Sequence, residues 1–162
     1  MEHTLSSTAL AEDHFRQGRD ALASGASSDA LEHFRAAHQI DRANPRYRSY
    51  YGLAIGVVER RFDRALELCR SAAKEEFFNP DLYHNLARVH LAFGFKAEAI
   101  RYLRRGLMID PANSAMQDDL RALGTRNRPV LGFLPRRHPL NRVVGQVRRW
   151  WNERRAPVEA SA

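Results

Sequence analysis

Cysteine is almost missing from this sequence. Cys69 stands alone among 162 residues, which excludes an intramolecular disulfide and a cluster of thiolate metal ligands. It falls on an apolar helix face, where it reads as a small buried hydrophobe. Long apolar runs are missing too. No stretch of about 18 apolar residues occurs, and Met1 to Ser6 offers neither a basic start nor an apolar core, so neither a membrane span nor a signal peptide is expected. A cytoplasmic location follows as the expectation. Patterns that carry chemistry are equally scarce. His33 and His38 are five apart and His84 and His90 six apart, not the i, i+4 spacing that sets two imidazoles on one helix face. The glycines form no phosphate-cradling loop, and no serine sits in a nucleophile elbow. Glu75-Glu76 and Asp118-Asp119 are adjacent on helices, so the carboxylates of each pair diverge into solvent. The expectation is a chain with no catalytic residue, no metal and no cofactor, and an enzyme is not expected.

What is present is an ordinary globular composition, 44% apolar and 28% charged, with an uneven spread of charge. Residues 1–125 hold 17 Lys plus Arg against 17 Asp plus Glu, whereas residues 126–162 hold 9 against 2. The formal net charge of +7 therefore belongs to the last stretch, which suggests a neutral folded body and a basic arm suited to an acidic partner.

The body repeats itself. Ala30, Ala65 and Ala99 are spaced 35 and 34 apart, and the same offsets relate Phe34 to Cys69 to Leu103 and Ala37 to Ala72 to Gly106. Gly18, Gly52 and Ala87 supply matching small positions upstream. From small residue to downstream alanine there are 12 steps in the first and third units but 13 in the second, which places one extra residue in the middle unit's internal turn, around Glu59 to Phe62. Helical periodicity agrees: Leu82, Leu86, Val89 and Phe93 share one face, and Ile100, Leu103 and Leu107 follow the break at Gly94. Asn44-Pro45 and Asn79-Pro80 each put a capping side chain before a proline at the first helical position, and Asp110-Pro111-Ala112-Asn113 closes the third unit. Helices are predicted near 8–24, 28–42, 45–59, 62–76, 80–93 and 96–109, with a seventh near 114–123.

The order of small residue, alanine, bulky apolar residue and alanine resembles the tetratricopeptide repeat family over about residues 11–123. The family's first-helix tryptophan is replaced by His14, Arg48 and Tyr83, and its closing proline by Arg42 and Phe77. The resemblance implies an all-α, right-handed solenoid of three helix hairpins within residues 1–125, with repeats at about 11–44, 45–79 and 80–113 and a capping helix at 114–123. A lone hairpin leaves its apolar face bare, so the units must stack.

The resemblance also implies a ligand-binding concave wall made by the first helix of each pair. Projection of the pattern puts Glu12, Phe15, Arg16 and Arg19, then Arg46, Tyr50 and Leu53, then Asp81, His84, Asn85 and Arg88 on that wall. Its arginines suit an acidic or C-terminal peptide, because guanidinium forks pair bidentately with carboxylates. Some relatives hold the terminal carboxylate of chaperones with Lys, Asn and Arg. Here only Asn85 resembles that set, and Phe15 and Asp81 occupy positions where cations are wanted, so chaperone-tail binding is not predicted.

In residues 126–139, Pro129, Pro135 and Pro139 forbid a continuous helix, and an extended connector is expected. From 140 to 155 a basic amphipathic helix is expected: Leu140, Val143, Val144, Val147, Trp150 and Trp151 form one stripe, with Arg142 and Arg149 facing away from it and Arg148 and Arg155 on its flanks. Residues 156–162 are expected to be disordered. Three uses of that helix stay open: an extra cap on the last repeat, a contact with an anionic membrane surface, or a contact with nucleic acid or an acidic protein. The function expected is a protein-interaction adaptor whose groove binds a peptide or partner helix. The alternatives are a membrane- or polyanion-binding module anchored by the tail, and a secretion-type chaperone.

Overall fold

Turn chemistry explains where each helix of this chain begins. In the computed structural model the described residues are 2–124. The expected connector at 126–139, the amphipathic helix at 140–155 with Arg142, Arg148, Arg149, Trp150 and Trp151, and the last residues all lie outside them. The helices are α1 (Glu2–Ala23), α2 (Ser27–Ile40), α3 (Pro45–Ala54), α4 (Phe62–Glu75), α5 (Pro80–Ala92), α6 (Lys96–Ile109) and α7 (Ser114–Ala122); among the described residues there is no strand. Helices that open a new hairpin start on asparagine. Asn44 Oδ1 accepts from the backbone N–H of Arg46 and Tyr47, Asn79 Oδ1 from that of Asp81, and Asn113 Oδ1 from that of Met116. Each such cap stabilises its helix by about 1 kcal/mol. Helices that close a hairpin have no side-chain cap and instead follow a tight turn with one residue in the left-handed region: Gly25 (φ 84°), Arg60 (φ 58°) and Gly94 (φ 81°).

The repeat positions are equivalent in space. Ala30, Ala65 and Ala99 are all 0% exposed, and so are Phe34, Cys69 and Leu103. α1 packs on α2, α3 on α4 and α5 on α6, and successive hairpins lean on one another through α2 with α3 and α4 with α5. The result is a solenoid of helix hairpins, each covering its neighbour's apolar flank. Met116 of α7 is fully buried against Ala87, Ala99 and Leu103, so α7 closes the open end of the third hairpin.

The middle unit departs from expectation in one respect. Its extra residue does not lengthen the internal turn. α3 is continued by a π-helical turn, Ile55–Glu59, and only Arg60 and Arg61 separate that turn from α4. A π turn holds one more residue per turn than an α turn, so the insertion is absorbed inside the helix, one turn early.

Candidate functional site

α1, α3 and α5 form one wall, joined by the Phe15 ring on Tyr47 (5.1 Å) and Tyr50 (5.0 Å, edge-on) and by packing of α3 on α5. Tyr50 lies at its base, only 9% exposed, with Phe34 against its other side. Burial raises the Tyr50 phenol pKa, and the Asp81 carboxylate raises it further; Arg19, Arg88 and Arg46 act in the opposite sense. Arg19, Arg46 and Arg88 come from three successive hairpins and bear on this one buried tyrosine. The Arg46 guanidinium lies over the Phe15 ring at 4.8 Å and 3.9 Å from Glu12, whose other oxygen accepts the Tyr47 hydroxyl at 2.6 Å. Arg19 and Arg88 make no ion pair among the described residues.

Other expected wall residues are placed differently. Leu53 is 0% exposed, packed among Ala65, Cys69, Leu82 and Leu86, and forms no part of an open surface. It is the counterpart of Arg19 and Arg88, but α3 is flanked by first helices on both sides, so the position is covered. Asn85 is 2% exposed, and its Nδ2 donates to Ser49 Oγ at 3.1 Å, a buried link between hairpins. Arg16, the equivalent position two repeat units earlier on α1, is exposed and pairs with Asp13. Phe15 is 1% exposed and belongs to the core. His84 Nε2 sits 2.8 Å from Asp119 Oδ2 and ties α5 to the capping helix. The surface that remains is Glu12, Arg19, Arg46, Asp81 and Arg88 around Tyr50. The Ser49–Asn85 link was missed by projection, because the equivalent positions, Phe15 and His84 for Ser49 and Arg16 and Tyr50 for Asn85, carry no shared polar pattern.

Among the described residues no group of three or more His, Cys, Asp or Glu side chains could hold a metal ion. The Cys69 thiol donates to the Ser49 carbonyl at 3.2 Å, and full burial pushes its pKa up to about 12. It is therefore a core residue and not a nucleophile.

The sequence profile described as Tetratricopeptide repeat matches residues 59–123. Residues 59–123 of this chain are therefore similar to tetratricopeptide repeats. Solved structures of such domains have its fold. The tetratricopeptide domain of Arabidopsis OM64 matches with a TM-score of 0.57 and 19% identity, covering 73% of this chain and 97% of that one. The first such domain of Spaghetti (RPAP3), bound to the HSP90 peptide SRMEEVD, matches with a TM-score of 0.56 and 19% identity over 72% and 94%. The second domain of human RPAP3, in complex with the HSP70 peptide SGPTIEEVD, matches with a TM-score of 0.56 and 15% identity over 76% and 99%. A comparison with curated proteins found no match. The wall described above is the face made by the first helix of each of the three hairpins, and Tyr50 lies on the middle one.

Proposed function

We propose that this chain is a non-catalytic interaction adaptor whose first-helix wall binds a carboxylate-bearing segment of a partner protein. The observation that carries the reading is that Arg19 and Arg88 lie on the first helices on either side of Tyr50 with no ion pair among the described residues, while Arg46 covers the Phe15 ring that packs on Tyr50. Arg19, Arg46 and Arg88 share this wall with Glu12 and Asp81, and Asp13 and Asp20 line the groove beside Arg19; Glu12 is engaged by Tyr47 and Arg46, and Asp13 by Arg16. Arg19 and Arg88, which make no ion pair among the described residues, suit an acidic ligand, and the aromatic base beside them offers a flat apolar contact for a side chain between two carboxylates. The similar domains of RPAP3 were solved with peptides that carry adjacent glutamates, which is consistent with an acidic segment here.

Fluorescence anisotropy with a panel of labelled acidic peptides and the full chain tests this. Arg19→Glu and Arg88→Glu should each weaken binding by about ten-fold or more, since a hydrogen bond to a charged group contributes about 1.5–3 kcal/mol. Rising salt should weaken it as well, because the arginines are at least partly exposed. Equal binding by the wild type and both variants, or a preference for basic peptides, would overturn the reading.

A further inference from the structure

A second surface lies away from the groove, at the edge where α4 and α6 end. Lys74, Arg104 and Arg105 are exposed there, and none makes an ion pair among the described residues. Beside them stand three of the most exposed apolar side chains of the body: Phe77 (52%), Phe78 (74%) and Met108 (83%). These residues form one edge. The Arg105 guanidinium lies 4.9 Å over the Tyr83 ring, and the Tyr83 hydroxyl donates to the Phe77 carbonyl at 3.1 Å. Phe77 and Phe78 rest ring to ring, centroids 4.1 Å apart, at the tip of the turn between α4 and α5. The two acids of that turn are occupied: Glu75 by the Arg48 guanidinium at 2.8 Å, and Glu76 by Asn79 Nδ2 at 2.9 Å.

Two aromatic rings largely exposed at the tip of a turn leave much of their apolar surface in water, as a contact surface for a partner would. The cations beside them, which make no ion pair among the described residues, select an anionic counterpart. A soluble polyanion would use the cations but leave the rings and Met108 in water. A bilayer with acidic headgroups takes both: apolar side chains enter the boundary of headgroup and acyl chain while basic ones stay among the headgroups. We infer that the edge formed by Lys74, Phe77, Phe78, Arg104, Arg105 and Met108 rests on an anionic lipid surface. Among the described residues no helix is long and apolar enough to cross a membrane, so the contact is peripheral. It leaves the wall of α1, α3 and α5 free for its own ligand.

Cys69 is fully buried, so Phe78→Cys in the full chain offers one reactive thiol for an environment-sensitive fluorophore. With vesicles of phosphatidylcholine plus phosphatidylserine the label should shift to the blue and be quenched by nitroxides on the acyl chains; with phosphatidylcholine alone it should not change. In co-sedimentation, Arg104→Glu should lower partitioning by at least about five-fold, the amount associated with losing one basic residue at an anionic surface. Lys96→Glu makes the same charge change at the opposite end of α6 and should leave partitioning nearly intact. Phe77→Ser with Phe78→Ser should weaken it without lowering the thermal midpoint, which circular dichroism checks. Four results would overturn the proposal: no sedimentation with anionic vesicles, an unchanged label while the chain sediments, equal losses for Lys96→Glu and Arg104→Glu, or binding to single-stranded RNA in place of vesicles.

Discussion

At three equivalent places the fold sets a residue with little or no side chain against one that needs the room. A Cβ added at Gly18 would stand 2.7 Å from the Phe34 ring, and one at Gly52 would stand 2.9 Å from Cys69 Sγ and 3.0 Å from the Ala65 carbonyl oxygen. The third unit uses Ala87 with Leu103. A helical Gly→Ala change ordinarily gains about 1 kcal/mol from propensity. Phe34 is fully buried and cannot yield, so Gly18→Ala should instead destabilise by about 1–2 kcal/mol, the range of an overpacked core, read from the urea midpoint. Gly18→Ala combined with Phe34→Leu recreates the third unit's pairing and should cost less than the sum of the two single changes. A second residue-scale prediction concerns His90. It is 3% exposed, neither ring nitrogen has a hydrogen-bond partner, and it is walled by Phe62, Phe95 and a stacked Tyr102. Burial, with Arg70 assisting, lowers its pKa from the ordinary 6.5; burial lowers that of His38 as well. In both cases the unfolded state binds the proton more readily, so stability is complete above about pH 6.5 and falls as pH drops below it. Denaturation midpoints measured between about pH 7.5 and 5 should show that decline, and it should be shallower in His90→Phe. The alanines and glycines of the repeat were legible in the sequence because their spacing is covalent. The unpartnered His90 was not, since only packing decides which helix covers an imidazole.

Among the elements, the π-helical end of α3 is the informative one. Counting residues located the insertion in the middle unit but not its form, because both a longer turn and a wider helical turn satisfy 13 steps. The structure takes the wider turn, which leaves Arg60 at the place where the other two hairpins have glycine, five residues before the repeat alanine in each case. Its guanidinium lies 4.4 Å over the Phe93 ring. A non-glycine residue in the left-handed region costs about 1 kcal/mol, and an exposed cation–π contact returns about 0.5–1 kcal/mol. Arg60→Gly should therefore be close to neutral. Arg60→Ala, which keeps the strained backbone and loses the contact, should be less stable than Arg60→Gly by about 1 kcal/mol in thermal unfolding.

For the molecule as a whole, stacking determines which parts of the repeat pattern become surface. The three-hairpin body and its capping helix could be read from the sequence, because asparagine caps, left-handed turns and small residues all point to the same hairpins. The wall was read only in part. Arg19, Arg46 and Arg88 are at least partly exposed, whereas Leu53 and Asn85 are covered, since the middle first helix has a neighbour on each side. His84 is half-buried and held by a helix outside the repeats. The central claim is that recognition takes place among α1, α3 and α5. NMR chemical-shift mapping on the full chain, titrated with an acidic peptide that binds it, tests this most directly. The account predicts that the largest shifts cluster at Arg19, Tyr50 and Arg88 and are lost in Arg19→Glu with Arg88→Glu. Shifts centred on α2, α4 and α6, with those three residues unmoved, would contradict it.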